Sequence, residues 1–189
     1  MKRITLPNII TAVRLIGAVC LIFAQNFTTA FFIILTVCGI SDLIDGTVAR
    51  LMHSTSEFGA RLDSVADLTF YSVMMAKLLP VLFDRLPKSL LYAALCVLII
   101  RLLSYGIAAA KYHKFASLHT YMNKVTGVFV FFVPYFIPTE FAVYYSVAVC
   151  SVAALASVEE LMIHAVTDSY NSDIQSFAVW MMKNGKNIK

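Results

Sequence analysis

Four aspartates within one 26-residue stretch are the residues of this chain best placed to do chemistry. Asp42 and Asp45 are three apart, and Asp63 and Asp67 four apart, so on helices each pair shares one face. The break between the pairs, around His53-Ser54-Thr55-Ser56, is short. It makes the two helices antiparallel neighbours and brings both pairs to the same depth. Two like charges about 4 Å apart repel by roughly 4 kcal/mol at an effective dielectric near 20. Four converging carboxylates therefore cannot all stay ionised without cations or shared protons. Arg50 and Arg61 are the only arginine or lysine residues in the stretch. An oxygen-only donor set favours hard divalent ions such as Mg2+, Mn2+ or Ca2+, and such a centre suits a phosphate or pyrophosphate substrate. Gly46 and Ala49 share a helix face and leave room for a flat ligand against the backbone. Gly59 offers similar access from the facing helix, and Arg50 at the helix end is placed to reach a phosphate oxygen. A single aspartate at a membrane helix end would read as merely solvated; four at paired helical spacing, with small residues between, do not.

The elements that must position these residues follow from composition. The 189 residues are 60% hydrophobic and only 14% charged, with a mean hydropathy of +0.79. Soluble domains carry about 45–50% apolar and about 25% charged residues, so this chain cannot cover itself in water. Its apolar blocks approach the roughly 20 residues needed to cross a bilayer core. They predict spans over about 8–25, 28–51, 58–83, 89–111, 121–137 and 140–164, an all-α integral membrane protein with six transmembrane helices in one bundle. Thr55 or Ser56 is placed to cap the third helix. The whole of 1–189 reads as a single membrane-embedded domain, with 168–189 a polar or interfacial tail. The first residues lack a clear cleavage site and are expected to be retained. Placing both termini in the cytoplasm puts most Lys and Arg, including Lys2, Arg3, Arg50, Lys111, Lys114 and Lys124, on that side, as the positive-inside rule asks. The aspartates then face the cytoplasm as well. Cys20, Cys38, Cys96 and Cys150 form no metal spacing and read as small hydrophobes. The aromatic residues lack interleaved basic ones, so nucleic acid is not an expected partner.

The stretch Asp42-Leu-Ile-Asp45-Gly46-Thr-Val-Ala49-Arg50, eight residues, then Gly59-Ala-Arg-Leu-Asp63-Ser-Val-Ala-Asp67 resembles the signature of the CDP-alcohol phosphotransferase (phosphatidyltransferase) family at every fixed position. The resemblance implies a homodimer of six-helix protomers in the lipid bilayer, with the site at the cytoplasmic interface. It implies that Asp42, Asp45, Asp63 and Asp67 hold divalent metal, Mg2+ or Mn2+ and two ions in the fuller form, over the donor pyrophosphate. Asp67 would also take the proton from the acceptor hydroxyl. Gly46, Ala49, Arg50 and Gly59 would contact the CMP part of a CDP-activated lipid donor. The acceptor hydroxyl attacks the phosphorus that carries the alcohol portion, and CMP leaves.

The acceptor is less legible. Leu6-Pro7-Asn8 through Arg14 resembles the opening of bacterial phosphatidylglycerol phosphate synthases, which points to glycerol 3-phosphate and to a bacterial cytoplasmic membrane. Ser64 departs from that subgroup, and the run Leu62–Asp67 is closer to types that use serine or inositol phosphate. A CDP-linked small alcohol donating to a lipid is a further variant. A phosphorylated acceptor needs a second cationic site. Arg101, inside the fourth span, His119, Lys124 and Arg14 are the acceptor-binding candidates, although a structural ion pair would equally explain Arg101. Arg14 in the first span is a candidate to face the aspartates or the acceptor. Lys77 is expected to snorkel or pair, and Glu160 with His164 to mark an interfacial helix end. The competing class is a divalent metal transporter, which predicts acids at the bilayer midplane and an internal repeat; no repeat is visible.

Overall fold

Within hydrocarbon every backbone amide has to be hydrogen-bonded inside the protein, and an α-helix does so within its own segment. The apolar blocks take that solution. The computed structural model describes residues 6–51, 57–112, 120–167 and 176–184, which contain helices and connecting turns without a strand. The helices are α1 (Leu6–Phe23), α2 (Thr29–Leu51), α3 (Glu57–Arg85), α4 (Lys88–Tyr112), α5 (Tyr121–Phe136), α6 (Ala142–Val166) and α7 (Phe177–Asn184). The first six match the spans expected from sequence to within two residues at each end. The proposed caps Thr55 and Ser56 lie outside the described residues. Three described stretches, Val65–Arg85, Lys88–Tyr112 and Ala142–Val166, are long and apolar enough to cross a membrane, and Ile9–Phe23 and Thr29–Asp42 are shorter apolar helices. Large apolar side chains such as Leu95, Leu98, Leu102 and Leu103 stand exposed along α4, a surface suited to lipid and not to water. The protein is an all-α membrane protein.

The chain divides into two compact units, Met1–Asp84 and Arg85–Lys189. In the first, α1 packs along α2. Thr11, Arg14, Ala18 and Leu21 form the buried stripe of α1, and Phe31, Leu35 and Cys38 that of α2, each at helical period. Gly17 permits the close approach, since a Cβ there would stand 2.5 Å from the Cys38 sulfur. Thr28 caps α2, its hydroxyl accepting from the Phe31 amide at 3.3 Å. On α3 the stripe Ala66, Phe70, Met74 and Leu78 is buried. Lys77 pairs with backbone: its ammonium donates to the Ile22 carbonyl at 3.1 Å, while Asn26 Nδ2 donates to the Lys77 carbonyl at 3.2 Å. The far end of α1 is thus clasped to α3.

In the second unit α6 is the central helix and contacts α4, α5 and α7. Its buried face uses small residues, Ala142, Ser146, Ala156 and Ser157, which let helix backbones approach closely. Tyr145 of α6 stacks on Phe136, ring centroids 3.9 Å apart, and donates its hydroxyl to the Phe129 carbonyl at 2.8 Å. Thr120 is fully buried and caps α5 by accepting from the Asn123 amide at 3.2 Å. In the C-terminal segment, Glu159 accepts from Ser176 Oγ at 2.9 Å and from the Phe177 amide at 3.0 Å. Phe177 and Trp180 pack against Ile163, so this part of the tail is a docked helix.

Candidate active site

Asp42 extends the buried stripe of α2 by one turn beyond Cys38, and Asp63 and Asp67 continue the buried stripe of α3 toward its N-terminus. One ligand oxygen from each of the three lies within 4.8 Å of the others. At their centre is the guanidinium of Arg14 from α1. Its Nη1 stands 3.1 Å from Asp42 Oδ1 and 3.1 Å from Asp63 Oδ1, and contacts Asp67 Oδ1 directly. Nε donates to Ser41 Oγ at 3.4 Å, and that hydroxyl donates to the Cys38 carbonyl at 2.7 Å. The Arg14 side chain is fully buried, whereas the three carboxylates are 33–40% exposed. The site is therefore a half-open acidic rim over an enclosed cation. Tyr71, one turn after Asp67 on α3, stands beside Asp42.

Three carboxylates around one guanidinium leave two negative charges unmatched among the described residues. Each remaining like-charge pair at this range costs about 4 kcal/mol at an effective dielectric near 20. That surplus, borne by oxygens alone, is a donor set fitted to a hard divalent cation. Asp45, Gly46, Ala49 and Arg50 lie in the last turns of α2, where their helical backbone is described and their side chains lie outside the described residues. Gly59 stands half-buried in the first turn of α3.

The residues read as acceptor ligands are distributed differently. Arg14 joins the aspartates. His119 lies outside the described residues. Lys124 is exposed on α5, 5.9 Å from the ring centre of Tyr121. Arg101 belongs to a separate network within the second unit. Its Nη2 donates to Asn123 Oδ1 at 2.8 Å and lies 3.6 Å from Glu160 Oε2, and its Nε donates to the Tyr105 hydroxyl at 3.0 Å. Asn123 Nδ2 completes the link by donating to Glu160 Oε2 at 3.1 Å. Glu160 and His164 are buried here, so the interfacial helix end expected for them is replaced by a polar tie between α4, α5 and α6. Sequence reasoning missed Glu160 as the acid opposite Arg101, and missed Tyr71 and Ser41 around the aspartates. The available signal was an arginine near the middle of the fourth span, with Asn123 in the fifth and Glu160 in the sixth as polar residues able to answer it.

Fold and site together define a helical membrane protein with an acidic, cation-demanding centre. Residues 4–166 match the CDP-alcohol phosphatidyltransferase family, and the chain belongs to that family. It is 35% identical over 78 residues to a CDP-diacylglycerol–serine O-phosphatidyltransferase of Methanocaldococcus jannaschii, covering 41% of this chain and 36% of the relative. It is 39% identical over 74 residues to CDP-diacylglycerol–glycerol-3-phosphate 3-phosphatidyltransferase 2 of Arabidopsis thaliana, covering 35% of this chain and 30% of the relative. The chain thus spans about a third of the length of these curated relatives. No solved structure matches it.

Proposed function

We propose that this chain is an integral membrane phosphatidyltransferase that moves a phosphatidyl group from CDP-diacylglycerol to a small polar alcohol, with glycerol 3-phosphate the preferred acceptor, and releases CMP. The observation that carries the reading is the surplus of carboxylate around Arg14 in a chain of this family. Asp42, Asp63 and Asp67, with Asp45 from the same turns of α2, would hold Mg2+ or Mn2+, most naturally two ions. When bound, such ions neutralise the donor pyrophosphate and polarise its P–O bonds. Gly46, Ala49 and Gly59 leave space for the cytidine, and Arg50 offers a charge to its phosphate. Asp67 accepts the proton of the acceptor hydroxyl while the new O–P bond forms and the P–O bond to CMP breaks. Lys124 and His119, and Arg101 to the extent that Glu160 leaves its charge available, would receive a phosphorylated acceptor. The working protein is a homodimer, each protomer a single domain, with termini and site on the cytoplasmic face.

Serine is the second reading of the acceptor, favoured by the Leu62–Asp67 run and by the activity named for the archaeal relative. The test is CMP release from CDP-diacylglycerol by purified protein in defined membranes, across glycerol 3-phosphate, serine and inositol phosphate, with and without chelator. Metal-dependent release with one acceptor supports the reading and names the substrate. Full activity in excess chelator would overturn the metal assignment, and no release with any of them would overturn the donor.

A further inference from the structure

We infer that Arg14 is an internal cation that competes with divalent metal for the oxygens of Asp42, Asp63 and Asp67, and thereby makes the site selective for divalent over monovalent ions. The inference rests on the phosphatidyltransferase reading above and concerns how its metal site is controlled. A point in contact with all three carboxylates is where an ion held by all three would sit, and Arg14 Nη1 already stands there, 3.1 Å from two of the oxygens and touching the third. Oxygens on one Mg2+ lie about 2.1 Å from it and so no more than about 4.2 Å apart. The three oxygens here lie within 4.8 Å of one another, and an ion drawing all three to such distances occupies the same space as Nη1. The guanidinium and the ion are therefore alternatives at this point.

Charge decides which of them wins. Replacing one positive charge by Na+ or K+ leaves the acidic surplus unchanged and sacrifices directed, charge-assisted hydrogen bonds. Replacement by a divalent ion reduces the surplus by one unit. Lysine would be a poorer resident, since it is a compact, strongly hydrated point charge, whereas the planar guanidinium tolerates burial and anchors a second nitrogen on Ser41. Arg14 is thus a positioning and selectivity residue, holding the aspartates together until an ion of sufficient charge displaces it.

The test uses full-length protein in detergent without donor. Mn2+ binding is followed by electron paramagnetic resonance of free Mn2+, and melting temperature is followed while Na+ replaces choline at constant ionic strength. Wild-type protein should bind Mn2+ and show a melting temperature insensitive to Na+. Arg14→Gln should bind Mn2+ about tenfold or more tightly, because its competitor is gone, and its melting temperature should rise with Na+. Should Arg14→Gln fail to fold, Arg14→Lys, which keeps the charge with poorer geometry, should show the same two changes in smaller measure. Weaker or unchanged Mn2+ affinity together with indifference to Na+ would overturn the inference and leave Arg14 an ordinary scaffold. The metal reading itself would fail in a different way, with neither wild type nor variant binding Mn2+, or with binding unaffected by Asp63→Asn.

Discussion

Each unit of the molecule sets an arginine against acid, and the two sets are charged differently. In the first unit one fully buried guanidinium meets three part-exposed aspartates. In the second, Arg101, one quarter exposed, meets a single fully buried glutamate, with Asn123 bridging both. The second set is balanced and has its hydrogen bonds largely satisfied from α4, α5 and α6, which describes a tie between helices. The first set carries an excess that further cations or shared protons can relieve, and its open side belongs to the acids. A polar cluster in a membrane helix bundle is therefore better read by its charge balance and by which partner faces outward than by its residue types.

Substitutions that remove one acid from each set test this contrast most severely. If Asp42 holds metal as proposed, Asp42→Asn should lower CMP release by about 10³-fold or more, because losing that ligand would forfeit several kcal/mol of transition-state stabilisation. Its melting temperature without divalent ions should hold or rise, since a repulsion is relieved. Asp67→Asn should lower turnover by about 10²–10⁴-fold while donor binding, followed by calorimetry, changes much less. A melting temperature for Asp42→Asn that falls like that of the Glu160 variant would erase the distinction between the clusters.

Glu160→Gln should act in the opposite sense, on stability. Breaking a buried pair by removing one partner costs about 3–5 kcal/mol, and the partial exposure of Arg101 reduces this to about 2 kcal/mol. The double variant Arg101→Met/Glu160→Leu should recover to within about 1 kcal/mol of the native protein, as read by thermal melting in detergent. Failure to recover would mean that the network specifies the helix arrangement beyond its charge balance. The smallest effects belong to the packing that delivers the two arginines. Gly17→Ala, which forces a Cβ against Cys38, should cost about 1–3 kcal/mol, with partial relief from Cys38→Ala. Thr120→Ala, which removes the cap ahead of Asn123, should cost about 1 kcal/mol.

The helices and three of the four aspartates were legible in the sequence for a physical reason. Apolar blocks near bilayer length leave little freedom in where a helix starts and stops, and the aspartate pairs are local in sequence, tied by helical spacing and one short break. Arg14 was only half legible. A lone arginine in a span announces an acid somewhere, but choosing between partners requires knowing which face of α1 is buried; the stripe Thr11, Arg14, Ala18 and Leu21 carries that register once α2 is placed against it. The tie at Arg101 was not legible, because its links span 22 residues to Asn123 and 37 more to Glu160. Neither separation is fixed by local periodicity.

The clasp at Lys77 bears on how quickly the acidic centre can respond. Ile22, whose carbonyl receives the ammonium, is eight residues from Arg14, about 12 Å along the helix axis, and Gly17 pins α1 against Cys38 between them. With one end hooked and the middle wedged, any turn of α1 would have to break both contacts. Withdrawal of the guanidinium, as inferred above, would then fall to the torsions of one side chain. On the inference drawn above, the centre would change occupant without the microsecond-to-millisecond delay of a helix displacement, and the surrounding helices would act as a fixed frame through the exchange.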